Sequence, residues 1–498
     1  MNMIHMQWFV SYAITNTFGT FMNRNILLVE PGYKTKFPPL GLMKISAYHK
    51  ALGDKVTFVK GISSKLAYEY WDRVYVTTLF TFNWKITIDT IKHYKVLVGG
   101  DVSRIYVGGI MASLMPQEVW QETGIVPMTG VLNYPRALDD DSDLVVDDMV
   151  PDYELFDGAA QEYTLVPDSY FGYSTRGCVN KCEFCGVRKL EPNFIEYSGL
   201  KPYVKAIADR YGEKQHLVLF DNNVLASKKF SQIIKDIKDL GFERGAKFPT
   251  SERTKAMRKV DFNQGTDARI MTEEKVKLLA QIAIHPLRIA FDSIALKDRY
   301  CEKVRLAAKH GIRHLSNYIL YNHKDTPEDF WQRLKINIDL NKELDLKIYS
   351  FPMKFIPLNA TDRSFIDEPR WNWYFVRGVQ RILNVMKGSV MPAEDFFLRA
   401  FGRSEKEFIE IIHMPESILM HRTRDVTPEE DAWKTSFRAL TANERKELLA
   451  ILCKGKTRAA FGEAYRSTKN GKLKAILEYY RIEESPMPLS EAIEGAVA

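Results

Sequence analysis

Short apolar runs alternate with segments of helical period along most of this chain. Residues 26–30 form the first run and lead into a Pro-rich loop over 31–39. Residues 41–52 then carry apolar positions at helical spacing and stop at Gly53, a residue suited to end a helix. Further strand-like runs lie at 55–60, 73–79, 95–98 and 105–107. Short strands separated by helices predict a parallel, doubly wound sheet over residues 22–135. Gly99-Gly100 and Gly108-Gly109 follow strand-like runs. They read as simple turns or as strand-end turns of the kind that meet ligands.

Residues 136–168 are polar and acidic and read as a surface linker. A second series follows over 169–360. Its strands are expected at 170–175, 216–220, 261–265, 287–291, 315–320 and 347–355, with helices at 202–210, 229–240, 273–282, 300–310 and 327–340. Six strand–helix units in tandem can close partly into a barrel, with functional groups at the C-terminal strand ends. Residues 361–498 read as a helical domain in which Trp371, Trp373, Tyr374 and Phe375 pack rather than bind. Residues 1–21 are oily but lack the basic start and unbroken apolar core of a signal peptide. They read as an extension outside the fold, and the tail after Ser485 as frayed.

Composition narrows this picture little. With 498 residues, 45% hydrophobic and 27% charged, the chain is an ordinary globular protein long enough for two or three domains. No run reaches 18 apolar residues, so no membrane span is expected. The net charge of +7 permits an anionic partner without implying one. Five cysteines and no secretory signal suit a reducing, cytoplasmic compartment.

Three of those cysteines change the picture. Cys178, Cys182 and Cys185 lie in Arg176-Gly-Cys-Val-Asn-Lys-Cys-Glu-Phe-Cys185, immediately after the first strand of the second series. The spacing supplies three soft thiolates and stops, so a four-iron cluster held there keeps one iron open to a ligand. A structural zinc site wants a fourth ligand. Cys301 and Cys453 are far off and have no Cys or His partner at knuckle spacing. Iron–sulfur and zinc both remain open on spacing alone.

The segment resembles the cluster loop of the radical S-adenosylmethionine (SAM) superfamily, including the aromatic Phe184 before the third cysteine. Residues 22–135 resemble the cobalamin-binding-type, Rossmann-like domain that precedes the barrel in one branch of that superfamily. Phe37-Pro-Pro-Leu-Gly-Leu42, Val107-Gly-Gly-Ile-Met-Ala-Ser113 and Asp147-Asp-Met-Val-Pro-Asp-Tyr153 are similar to its recurring sequences. The resemblance implies a parallel Rossmann-like sheet, a partial (β/α)6 TIM-type barrel and a helical C-terminal domain. It implies a 4Fe–4S cluster on Cys178, Cys182 and Cys185, SAM on the open iron, and an electron donor such as flavodoxin or ferredoxin.

By the same resemblance Phe184 would pack near the adenine. Asp221 and Asn222, at the second strand end, would accept from the methionyl amine, in place of the family's Gly-Gly-Glu. Gln264, Asp267 and Arg269 end the third strand, and Arg269 would hold the methionyl carboxylate. Asp292 and Asn317 would face ribose or substrate. Loop solvation or helix capping is the plain alternative for each. The first domain lacks the Asp-x-His-x-x-Gly signature that gives cobalt a histidine; His49 and His93 lie outside such a frame. Cobalamin is therefore left open and not predicted. The substrate is unidentified. Two rival readings stand: an RNA-modifying radical SAM enzyme, for which residues 371–498 offer no recognised RNA module, and a zinc-stabilised nucleic-acid-binding protein.

Overall fold

The computed structural model describes residues 23–159, 161–250 and 254–481. The expected extension over 1–21 and the tail after Ser485 lie outside the described residues. The fold is mixed α/β and divides into two compact units. Of the described residues, one unit holds 23–32, 39–79 and 86–159; the other holds 33–38, 80–85 and those from 161 onward.

The first unit is built on four parallel strands: β1 (Asn25–Glu30), β2 (Lys55–Lys60), β3 (Arg73–Thr78) and β4 (Ile105–Gly109), in the order β2-β1-β3-β4. β1 is central and buried from Ile26 to Glu30, as its continuous apolar run demands. The helix Leu40–Ala51 links β1 to β2, as expected. The run at 95–98 is not a strand. It ends the helix Trp84–Leu97, whose buried positions Thr87, Ile88, Thr90, Ile91 and Tyr94 follow a helical stripe. Val96 is 78% exposed, so the run's apolar character reflects no buried strand. A four-residue apolar run cannot by itself tell the two apart.

The acidic segment is not a surface linker along its whole length. Asp139 accepts from Arg24 at 2.7 Å, Arg73 at 2.6 Å and Tyr48 at 2.9 Å. Lys44 pairs with Asp147, and Ser46 donates to Asp152 at 2.5 Å. These carboxylates find cations and hydroxyls just before β1, on β3 and on the helix Leu40–Ala51, which a count of acidic residues cannot reveal. His49 belongs to the same network. It is buried, with Nδ1 2.7 Å from Asp54 and Nε2 3.0 Å from the Tyr75 hydroxyl, so both ring nitrogens are occupied.

The second unit carries β5 (Ser169–Gly172), β6 (His216–Leu219), β7 (Lys247–Pro249), β8 (Lys255–Met257), β9 (Lys259–Phe262), β10 (Leu287–Arg288), β11 (His314–Tyr321) and β12 (Lys347–Lys354). β5-β6-β9 and β10-β11-β12 are parallel in chain order. Parallel bridges Val260–Ile284 and Thr266–Ile289 connect the two sets. The six expected strands therefore occur in the expected order. The third begins two residues earlier than expected, and β10 has only two residues. The antiparallel pair β7–β8 was not expected.

Helices from Trp373–Val385 to Gly471–Leu477 share a core with Phe330, Trp331 and Leu334 of the helix Pro327–Leu344. Trp371, Tyr374 and Phe375 are buried in it, as expected of packing residues. Trp371 Nε1 donates to Asp325 and the Tyr374 hydroxyl to the Met414 carbonyl. Among the described residues, no helix is long and apolar enough to cross a membrane.

Candidate functional site

The cysteine loop leaves the C-terminal end of β5. An antiparallel bridge between Arg176 and Ile195, with N–H to carbonyl distances of 3.1 and 2.9 Å, closes it at its base. Gly177 follows that bridge with φ of +70°, and a Cβ there would lie 2.4 Å from the Asn193 carbonyl oxygen. Only glycine fits such an approach.

Two carboxylates fix the loop. Glu191 accepts from Arg176 Nε at 2.8 Å, from the Gly177 N–H at 2.6 Å and from Asn222 Nδ2 at 3.1 Å. Asp221 is fully buried just past β6. Its Oδ1 accepts from the Ser174 and Thr175 hydroxyls at 2.6 and 2.7 Å and from the Thr175 N–H at 2.5 Å; Oδ2 accepts from the Ser174 N–H at 3.0 Å. Burial pushes the Asp221 carboxyl up, and those four donors oppose it. Asp221 and Asn222, chosen as acceptors for an ammonium, thus act here as ties between the end of β6 and the loop.

The thiols are half-buried. Cys178 Sγ accepts from the Asn180 N–H at 3.4 Å and from Asn223 Nδ2 at 3.6 Å. Burial pushes the Cys185 thiol up; the Val187 N–H opposes this, while Cys182, Cys178 and Asp292 act in the same direction as burial. The three sulfurs and Asp292 therefore lie within electrostatic reach of one another. Among the described residues, no three His, Cys, Asp or Glu side chains are drawn together into a metal-holding group. The donor set still fits a thiolate-bound cluster. Three soft ligands share one loop, and N–H donors already face one sulfur, as such clusters use to tune their charge.

From the third strand end, Arg269 grips Asp267 through Nε at 2.8 Å and Nη2 at 3.0 Å and also reaches Cys182. Asp267 accepts from Asn180 Nδ2 at 2.7 Å, which links this strand end to the cysteine loop. Burial pushes the Asp292 carboxyl up to about 6, with Arg333 and Arg269 pulling it back. Phe184 meets His323 edge-on at 5.6 Å between centroids, and Glu183 pairs with Lys324 beside it. Gln264 is exposed and donates to Asn263, and among the described residues no hydrogen bond ties it to the loop. Asn317 is not at the site. It bonds the Tyr300 hydroxyl on the helix Lys297–Lys309, on the helix-covered side of β11.

The structure thus brings Arg269 and Asp292 within electrostatic reach of the loop that carries Cys178, Cys182 and Cys185, with Asp221 and Asn222 tying the loop to the end of β6. Sequence reasoning missed Glu191, Asn180, Asn223 and His323. None carries a spacing signal, although Asn180 sits inside the motif itself. The chain matches no family model, and no curated protein matches it.

Proposed function

We propose that this chain is a radical SAM enzyme. The observation that carries the reading is the C-x3-C-x2-C loop at the C-terminal end of the first of six parallel strands taken in chain order. Cys178, Cys182 and Cys185 hold a 4Fe–4S cluster. Arg269 takes the carboxylate of SAM, and Asp292 faces its sugar or the substrate. Phe184 and His323 offer an apolar edge to the adenine. Asp221 and Glu191 are positioning residues, which hold the loop by its backbone and leave the thiols free. When bound, the cluster and SAM supply a radical-generating C–S cleavage at the cost of one electron from a flavodoxin- or ferredoxin-type donor.

The finer fold reading belongs to the same proposal. The six-strand series is a partial (β/α)6 barrel, and the order β2-β1-β3-β4 is a Rossmann-like domain of the cobalamin-binding type. His49 is unsuited to cobalt because Asp54 and Tyr75 hold both its nitrogens.

Anaerobic reconstitution tests the reading. The expected result is about four iron and four sulfide per chain, and 5′-deoxyadenosine or a methylated product formed from SAM under reduction. Cys178→Ala, Cys182→Ala and Cys185→Ala each remove both. Zinc without sulfide, or SAM cleavage that survives the triple variant, overturns it.

A further inference from the structure

The terminal helices carry a charge pattern that the cysteine site does not use. Residues 451–475 contain seven Lys or Arg and one acidic residue, Glu463. Lys454, Lys456 and Arg458 lie around the turn between the helices Ala442–Lys454 and Arg458–Ser467. Arg466 follows on that helix, Lys469 lies in the next connection, and Lys472 and Lys474 are on the helix Gly471–Leu477. All seven are exposed. None forms an ion pair among the described residues; only Lys474 has an aromatic partner, with Nζ 5.4 Å from the Tyr465 ring centre.

The preceding helix, Pro428–Arg438, behaves differently. There Lys434 pairs with Glu430 and Arg438 with Glu410. A solvated helical face ordinarily mixes its signs in that way. Seven like charges without an ion pair in 25 residues repel one another; Glu444 near Lys472 and Glu478 near Lys474 offset part of that repulsion, and an external anion relieves the rest.

We propose that the surface over residues 454–474 binds the phosphate backbone of nucleic acid. A lipid surface fits less well. After Val426 no large hydrophobic side chain is exposed among the described residues, so nothing is available to enter a bilayer. A folded protein partner fits less well too. Five of the seven cations are lysines, which protein interfaces disfavour and phosphate contacts use. The bases have no free aromatic platform here, because Glu478 holds the Tyr465 hydroxyl and Lys474 and Arg481 cover its ring. Binding is therefore electrostatic and indifferent to sequence. Where the radical SAM reading of the cysteine loop holds, on which this one step rests, nucleic acid is also the substrate class.

The test uses the full chain without iron or SAM, so its outcome is separable from that of the cluster experiment. Fluorescence anisotropy follows a labelled 30-nucleotide single-stranded RNA, with DNA of the same length as a second arm, across a salt series. The expected result is binding to either strand that weakens steeply with salt. The variant Lys454→Gln/Lys456→Gln/Lys472→Gln/Lys474→Gln binds at least tenfold more weakly at equal salt. Its log–log salt slope falls by up to about 3, at roughly 0.7 for each phosphate no longer neutralised. Its melting temperature is unchanged, since all four side chains are exposed. Lys205→Gln, on an exposed site of the helix Leu200–Tyr211, leaves binding unchanged. Equal affinity of wild type and quadruple variant overturns the proposal. So does absence of binding at 50 mM salt, or binding to anionic vesicles but not to RNA or DNA.

Discussion

At Gly177 the backbone turns with φ of +70° against the Asn193 carbonyl, and one residue later the first thiol begins. Its neighbour in space, Asp221, holds the other end of the same turn through Ser174 and Thr175. Asp221→Ala leaves four donors unpaired in a site closed to water. The expected cost is about 3 kcal/mol or more, read by urea unfolding. Faster reaction of Cys178, Cys182 and Cys185 with a thiol reagent in the folded variant would mark release of the loop. Unchanged thiol reactivity would refute the anchoring role. The sequence marks Asp221 as an acceptor at a strand end, and that much is legible. Its partners lie 46 and 47 residues away, beyond any local spacing. Glu191 is silent in the sequence for the same reason. It is a glutamate after a short basic helix, and only folding brings Arg176, the Gly177 N–H and Asn222 to it.

The helix Pro327–Leu344 illustrates what an element adds. Thr326 caps it, Asp329 completes the capping box, and Pro327 starts its first turn, all of which can be read from Thr-Pro-Glu-Asp. Arg333, on its second turn, is 0% exposed. Its Nη1 donates to the carbonyls of Leu320 at 2.7 Å, Asp292 at 3.1 Å and Phe291 at 3.2 Å, and its Nη2 to Asp325 at 2.5 Å. One guanidinium thus clamps the ends of the fourth and fifth parallel strands, where Asp292 lies within electrostatic reach of Cys185. Arg333→Met leaves the buried Asp325 without its cation and three carbonyls without this donor, an expected loss of about 3–5 kcal/mol. Arg333→Lys recovers little of it, because an ammonium cannot fork to several acceptors at fixed geometry. Thermal or urea unfolding checks both, and full rescue by Lys would refute the clamp. An arginine inside an amphipathic helix reads as a solvated position, so this one is hidden in the sequence. Strands are hidden or visible by length and pattern. β11 and β12 carry eight residues each and are legible. β10 carries two, and β7 and β8 carry three each around Pro249 and Lys255, too little pattern for period two to register.

At the scale of the whole molecule, two of the hydrophobic cores among the described residues lie in different units. The first gathers Ile26, Leu28, Leu42, Tyr48 and Tyr75 over the Arg24–Asp54–Asp139 network; the second gathers Phe330, Trp371, Phe408, Trp433 and Leu448. Each answers to its own perturbation, so urea unfolding is expected in two steps. Arg24→Met leaves two buried carboxylates without their shared partner and should lower the first step by about 3–5 kcal/mol. The second step carries a pH signature. His413 is 5% exposed between Phe375 and Phe437. Burial pushes its pKa down from 6.5 to about 4, against the pull of the Ile409 carbonyl. The unfolded chain therefore binds this proton first. The contribution of neutral His413 is complete above pH 6.5 and is lost as pH falls from there through 4. Between pH 8 and pH 5 the loss is about 2 kcal/mol. His413→Gln, which can still donate to Ile409, should remove that part of the pH dependence from the second step and leave the first unchanged. A second step that shifts equally with pH in both proteins would show that His413 is not held neutral.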